Sequence, residues 1–363
     1  LIMSCKEPID YLDPLFRLEQ KGLDSYFITR SVFFSFFSEY YAKIYLRQKK
    51  ECRTMEIQRI LVTSRIHHKL KDLIESHNLS KEFRFLPEDE VTKEDYEWAD
   101  TFVGFRPTPN FEFGNIKWVH SLAAGVDSFM KIKWKNDVLL TRTIDVFGPK
   151  MSQYCLSYIL QDSQLHEQFS NLQNDNKWEF HIPKSLEDQK VVIYGTGEIG
   201  GHIGKVLSSL GMKVYGVSMS GNQKQYFEKI VPFQEASTIL DHTDWIISVL
   251  PSTNETKNIL DMSTFKHLNN VGFINVGRGA TVCEDSLKEA LNNGYIRKAI
   301  LDVFAVEPLP ADSELWQMPN VKITPHISAV TLPNDGVKCF VHTLSTLENN
   351  EKLRNVVKIE KGY

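Results

Sequence analysis

The sequence is most tightly constrained between Lys190 and Gly211. A short apolar run, Val191-Val-Ile-Tyr194, leads without a linker into Gly195-Thr-Gly-Glu-Ile-Gly200. A helix-like stretch from Ile199 to Leu210 follows, with Gly211 placed to end it. Glycines at this spacing have separate physical tasks. The first permits a tight turn, the second lets backbone amides approach an anion, and the third lets helix and strand pack closely. The turn delivers the chain to a helix N-terminus, where unpaired N–H groups and the macrodipole favour a phosphate. A strand, turn and helix in this order are read as the pyrophosphate cradle of a dinucleotide-binding unit, with Gly195, Gly197, Glu198, Ile199 and Gly200 at the cofactor. Without its flanking strand and helix the motif would be only a glycine-rich turn.

The surrounding pattern supports that unit. Lys190–Tyr194, Lys213–Ser218, Trp245–Leu250, Gly272–Val276, Lys298–Val303 and Val321–Thr324 are predicted as strands, the six that a complete Rossmann domain needs. An earlier series, Ile60–Val62, Phe83–Leu86, Thr101–Gly104, Lys117–His120 and Val138–Thr141, with a helix at Leu70–Ser76, reads as a smaller flavodoxin-like lobe. One long helix is predicted from Lys150 to about Gln173, and a closing helix at Asn334–Leu347 that could return to the first lobe. The fold class is therefore α/β and two-lobed, a Rossmann dinucleotide-binding domain inserted in a flavodoxin-like substrate domain. The expected bounds are 55–147 for the substrate domain, 148–328 for the Rossmann domain and 329–363 for the return. At 363 residues two hydrophobic cores are also the expectation from length.

Residues 1–54 crowd Phe, Tyr, Lys and Arg with little periodicity, and are read as an atypical extension outside the enzyme fold, with Met55 as functional start. The alternative is an amphipathic docking helix around Val32–Leu46. With 42 basic against 46 acidic residues and a net charge of -4, there is no excess of charge for nucleic acid or anionic lipid. No stretch reaches the roughly 18 apolar residues of a membrane span. The five cysteines are scattered, with no CxxC pair, which suggests neither disulfide framework nor zinc site; no metal and a cytoplasmic location are expected.

The strand ending at Ser218 lacks the acidic residue that commonly holds the ribose hydroxyls of NAD. Ser218 and Ser220, with Asn222 and Lys224 beyond, could instead hydrogen-bond a 2′-phosphate, so NADP is preferred over NAD; the other reading is a loop that simply tolerates serine.

Three further stretches point one way: Phe273-Ile-Asn-Val-Gly-Arg-Gly279, Leu301-Asp-Val-Phe-Ala-Val-Glu-Pro308 and Thr324-Pro-His-Ile-Ser-Ala329. With the glycine motif, Val119-His-Ser-Leu-Ala-Ala-Gly-Val-Asp127 and Leu250-Pro-Ser-Thr-Asn-Glu-Thr256, the chain from 55 onward resembles the D-isomer-specific 2-hydroxyacid dehydrogenases, most of all the glyoxylate and hydroxypyruvate reductases. The resemblance implies a catalytic group of Arg278, Glu307 and His326. A guanidinium at Arg278 suits the carboxylate and carbonyl of a 2-keto acid, a histidine suits proton transfer to the developing alkoxide, and a carboxylate paired with it would favour imidazolium and orient the ring. It also implies that Ala124 and Gly125 offer amides to the substrate carboxylate, that Asp302 holds the nicotinamide carboxamide, and that Leu250, Pro251, Thr256 and Val276 border the cofactor. Hinge residues would lie at Gly148–Gln153 and beyond Ser328. A homodimer through the cofactor domain, with the helix from Lys150 to Gln173 in the interface, is implied as well.

Two departures stand out: Gln153 where many relatives carry Glu, and Met219 where NADP-preferring relatives often have Arg, which weakens the cofactor preference. Arg106, in Phe105-Arg-Pro107, is a candidate for reading the far end of the substrate, or else a solvent-facing arginine. Alternatives within the family are D-lactate, D-3-phosphoglycerate and branched 2-keto acid dehydrogenases. Outside catalysis, a NAD(H)-sensing corepressor-like protein would need the dinucleotide site but not Arg278, Glu307 and His326.

Overall fold

The computed structural model describes residues 55–362, so the expectations for 1–54, extension or docking helix, lie outside the described residues. Two wholly parallel sheets organise the chain. The first contains β1 (Arg59–Thr63), β2 (Glu82–Leu86), β3 (Thr101–Gly104), β4 (Trp118–Ser121) and β5 (Leu139–Arg142), in the order β2-β1-β3-β4-β5. That is the flavodoxin-like order expected from sequence. Both faces of its central strands are covered, and β3 and β4 are buried at every position, including the polar Thr101, His120 and Ser121. Helix α1 (His67–Glu75) turns Leu70 and Ile74, one turn apart, into the core. Helix α2 (Lys93–Trp98) was not anticipated, although Thr92 and Asp95 form a capping pair, the Thr92 amide donating to Asp95 Oδ2 at 3.0 Å.

The second sheet contains β6 (Lys190–Tyr194), β7 (Lys213–Ser218), β8 (Lys229–Pro232), β9 (Trp245–Ser248), β10 (Val271–Asn275), β11 (Ile296–Leu301) and β12 (Val321–Ile323), in the order β12-β11-β10-β9-β6-β7-β8. Seven strands replace the six expected. The addition, β8, is an edge strand in which only Ile230 and Val231 are buried, between a lysine and a proline, so it carries no extended apolar run. Four helices surround or follow this sheet in sequence: α5 (Glu198–Ser209) after the glycine turn, α6 (Met262–Phe265), α7 (Glu284–Asn292) and the closing α8 (Pro333–Glu348).

Between the sheets, the single helix expected at Lys150–Gln173 is two: α3 (Phe147–Ser163) and α4 (His166–Asn174), broken at Leu165, which takes φ +57°. No glycine or proline marks the break. Tertiary contacts hold the end of α3: Ser163 O accepts the Lys184 amide at 2.9 Å, and Asp162 pairs with Arg297 and Lys298 at 2.9 and 3.2 Å. Residues 148–153, expected at the hinge, lie inside α3, where a Cβ on Gly148 would stand 2.7 Å from the His202 side chain. The non-helical crossing is the segment before α3, in which Asp145 has φ +68°.

Met151, Cys155 and Ile159 of α3 pack with Ile203 and Leu207 of α5 on one face of the second sheet, while Phe265, Phe273, Leu287 and Leu291 fill the other. Helix α8 returns to the first sheet, burying Val337, Phe340 and Leu344 against β1, β3 and β4. The loops at residues 122–127 and 143–146 leave the carboxyl ends of β4 and β5. The glycine turn and the loops after β10, β11 and β12 leave the carboxyl ends of the second sheet. In parallel sheets these ends are where ligands bind.

Phe340 is fully buried and stacks on Trp118 at 5.6 Å. Phe340→Ala should cost roughly 3–5 kcal/mol, read as a lower denaturation midpoint of the first lobe while dinucleotide affinity is kept.

Candidate active site

The glycine turn is built as its sequence demands. Gly195 has φ +95°, and a Cβ on Gly200 would stand 1.9 Å from Gly195 O, so helix α5 can rest on the end of β6 only if position 200 is glycine. A Cβ on Gly197 would meet nothing within 4 Å, which leaves the middle of the turn open to a ligand. That opening belongs to a cavity of about 620 Å³ that runs from the turn to Arg278 and Ala124. An extended, phosphate-bearing dinucleotide fits this setting: a bare turn, a helix N-terminus and apolar walls from Leu250, Pro251 and Val276. Glu198 and Ile199 also line it, but the Glu198 carboxylate is turned to the other lobe, where it accepts the Asp145 amide at 3.0 Å. Burial pushes its pKa above the ordinary glutamate value, opposed by that amide.

At the far end of the turn, Ser218, Met219, Ser220 and Lys224 share the same wall. Lys224 reaches back to donate to the carbonyl of Thr196. Ser218 Oγ accepts the Gly221 amide at 3.1 Å and so shapes the loop after β7. Thr256 is mainly a staple: its hydroxyl donates to Pro251 O at 2.6 Å and accepts the Thr253 amide at 2.8 Å.

Arg278 follows β10 and crosses to the first lobe. Its Nε and Nη2 donate to Asp127 Oδ2 at 3.1 and 3.0 Å, and Nη1 donates to Gly277 O at 2.8 Å. The guanidinium passes so close to the 122–127 loop that a Cβ on Gly125 would stand 2.1 Å from Nη2. Among the described residues, the amides of Ala124 and Gly125 donate to no protein acceptor. Unpaired amides beside a guanidinium are suited to receive an anion.

His326 and Glu307, although 19 residues apart, meet: Nδ1 lies 2.8 Å from Glu307 Oε2, and Glu307 Oε1 accepts the Phe304 amide at 3.0 Å. His326 is half-exposed and holds the left-handed conformation, φ +56°. What keeps it there is Asp302. This carboxylate is completely buried and accepts Thr324 Oγ1 at 2.6 Å, Ile327 N at 2.8 Å and Ser328 N at 2.9 Å, while Asp302 O accepts the His326 amide at 2.9 Å. Thr324 is in turn bonded to Tyr154 of α3 at 2.6 Å.

Five expected site residues, Arg106, Gly125, Asp302, Glu307 and His326, do not line this cavity. The carboxamide role implied for Asp302 is corrected: its oxygens are committed to the 324–328 loop, so it anchors the histidine. Arg106 also lies off the cavity wall, its Nε and Nη2 bound to Glu88 Oε2 at 3.0 and 2.7 Å. Asp127, Tyr154 and Thr324 stood within or beside quoted motifs but received no role, because the contacts that define them span from 22 to 170 residues. Among the described residues, no cluster of three or more His, Cys, Asp or Glu could hold a metal, and no helix is long and apolar enough to cross a membrane.

Comparison with known proteins converges on one group. A model of the D-isomer specific 2-hydroxyacid dehydrogenase NAD-binding domain matches residues 156–328. Glyoxylate/hydroxypyruvate reductase A of Escherichia fergusonii is 32% identical over 278 residues, covering 74% of this chain and 89% of that protein. An NADPH-dependent glyoxylate/hydroxypyruvate reductase from Sinorhizobium meliloti, solved with NADP and sulfate, is similar with a TM-score of 0.76 at 26% identity, covering 84% of this chain and all of that one. A D-isomer specific 2-hydroxyacid dehydrogenase from Xanthobacter autotrophicus, solved with NADPH and MES, gives a TM-score of 0.75 at 28% identity, covering 85% of this chain and 100% of that one.

Removing the buried Asp302 carboxylate leaves two amides and a hydroxyl unpaired. Asp302→Ala is expected to lower stability by about 2–4 kcal/mol, measured by urea unfolding, and to release the 324–328 loop to rapid amide hydrogen exchange.

Proposed function

The chain belongs to the D-isomer specific 2-hydroxyacid dehydrogenase family, and from that premise we propose that it reduces glyoxylate, hydroxypyruvate or a 2-keto acid of similar size to the D-2-hydroxy acid, with NADPH as donor. It is a nicotinamide-dependent oxidoreductase acting between a small 2-keto acid and its hydroxy acid. The proposal rests above all on one observation: the open glycine turn, Arg278 and Ala124 share one cavity between two sheets, with the unpaired amide of Gly125 directly beside the Arg278 guanidinium.

The bound nicotinamide would supply a hydride to the keto carbon. The chain does the rest. Two of the five N–H groups of the Arg278 guanidinium remain after its bonds to Asp127 and Gly277, enough to take the substrate carboxylate and polarise the carbonyl. Amides at Ala124 and Gly125 take the carboxylate from the other side. With Nδ1 held by Glu307, His326 keeps Nε2 for the substrate oxygen and protonates it as charge develops there. Preference for NADPH is supported by Ser218 and Ser220 where an acid would repel a 2′-phosphate, and by Lys224, which brings a cation to a wall that carries Met219 in place of arginine.

Assembly as a homodimer has a surface to support it. Helix α4 buries nothing, and after it Trp178, Phe180 and Ile182 are 103, 87 and 78% exposed on alternate positions. Such a strip is costly to leave in water and is usual at interfaces. A cytoplasmic location fits Cys155, Cys283 and Cys339, which form no disulfide among the described residues.

Initial rates at 340 nm, pairing NADPH or NADH with glyoxylate, hydroxypyruvate, pyruvate and a branched 2-keto acid, test the assignment. The expected result is fastest NADPH oxidation with glyoxylate or hydroxypyruvate, a loss of about 10²–10⁴-fold in kcat for His326→Ala, and a KM for NADPH, but not NADH, that rises about tenfold in Lys224→Ala. Dinucleotide binding without turnover of any acid would sink it. Separately, Trp178→Asp with Phe180→Asp should convert a dimer to monomers in size-exclusion chromatography with light scattering.

A further inference from the structure

A second guanidinium reaches the cavity from the first lobe, and nothing said so far gives it a task. Arg142 is the last residue of β5 and lines the cavity together with Ala124 and Arg278. Its backbone is fixed: Arg142 N donates to Asn355 O at 3.1 Å, and Asn355 Nδ2 donates to Arg142 O at 2.9 Å. Its side chain is half-buried and makes one hydrogen bond, from Nη1 to Ala124 O at 2.9 Å. Among the described residues it forms no salt bridge. The carboxylate that acts on it is that of Glu198, which accepts the Asp145 amide. Burial draws the pKa of Arg142 below the ordinary arginine value; Glu198 opposes the shift and the charge of Arg278 adds to it.

A partly desolvated cation with one neutral partner is an expensive arrangement unless an anion completes it. The geometry of the peptide says where. Ala124 O and Gly125 N–H belong to one planar trans unit and point in opposite directions. By holding the carbonyl, Arg142 fixes and polarises the N–H on the other edge, and that N–H has no protein acceptor among the described residues. Arg278 presses on the same glycine from the second lobe, filling the space a Cβ would need. The Ala124–Gly125 peptide is thus held between two guanidiniums whose anchors lie in different lobes.

We infer that Arg142 is a second cationic determinant of substrate binding, which, by holding the Ala124 carbonyl, sets and polarises the Gly125 amide against the carboxylate of the 2-keto acid. This rests on the reading of the cavity as a 2-keto acid site. It divides the labour between the arginines: Arg278 faces both the carboxylate and the reacting carbonyl, whereas Arg142 serves the carboxylate alone. Loss of Arg142 should therefore weaken ground state and transition state alike and appear in KM, while loss of Arg278 should appear in kcat as well.

The test uses the full chain with Arg142→Met, which keeps the bulk and removes the charge, and Arg142→Lys, which keeps the charge and removes the planar fork. KM for glyoxylate is measured with NADPH saturating, and oxalate, a carboxylate that cannot be reduced, is titrated into the NADPH complex by calorimetry. For Arg142→Met the expected result is a rise of about 10- to 100-fold in both the glyoxylate KM and the oxalate Kd, with kcat changed by less than about threefold and NADPH affinity unaltered. Arg142→Lys should recover part of the oxalate affinity. Unchanged KM and oxalate Kd in Arg142→Met would overturn the assignment. So would a parallel loss of NADPH affinity and melting temperature in both variants, which would make Arg142 a structural residue only. Oxalate binding needs no turnover: an unaltered chain that reduces no 2-keto acid, yet loses oxalate on Arg142→Met, would remove the reductase reading and leave the arginine assignment standing.

Discussion

A parallel sheet buries both of its faces, so polar chemistry is forced to the edges and above all to the carboxyl ends of the strands, where loops leave the layer. This chain uses two such sheets. The glycine turn after β6, Arg278 after β10, Glu307 after β11 and His326 after β12 come from one; Ala124, Gly125 and Asp127 after β4 and Arg142 at the end of β5 come from the other. The cavity exists because these two sets of strand ends confront each other. Helix α8 permits that by packing Phe340 back onto the first sheet after the second is complete.

Each set of ends is then held by charge. On the second sheet, the buried carboxylate of Asp302 gathers the Thr324 hydroxyl and two amides, and so keeps His326 in a left-handed conformation that a non-glycine residue does not choose alone. Between the sheets, Asp127 grips Arg278 and the Asp145 amide is taken by Glu198. These contacts let the guanidinium of one lobe stand against the peptide of the other. They also explain Gly125: the residue is bare because Arg278 fills the place of its side chain.

Much of this was legible in one dimension. The β6–turn–α5 unit was readable because Gly195 and Gly200 answer local steric demands, and the central strands because burial on both faces gives them short apolar runs such as Val191–Tyr194. What escaped had no local signature. The break between α3 and α4 carries no glycine or proline and is set by the ion pairs of Asp162 with β11. Strand β8 has only two apolar residues, Ile230 and Val231, before its proline, and the pairing of Arg106 with Glu88 joins side chains that sequence spacing could not connect.

The sequence by itself determined the layer architecture and the position of the dinucleotide turn, because these follow from periodicity and from backbone sterics; the residues suited to bind and protonate a 2-keto acid were marked by the resemblance of several motifs to one family, not by any single side chain. Tertiary structure decided which of those side chains face one another. It turned Asp302 inward as the anchor of a loop, gave Arg278 a carboxylate partner 151 residues away, and brought Arg142 under the Ala124 carbonyl. Hydrogen bonds act over about 3 Å in space and are indifferent to separation along the chain, so they are fixed only once both sheets have formed and docked.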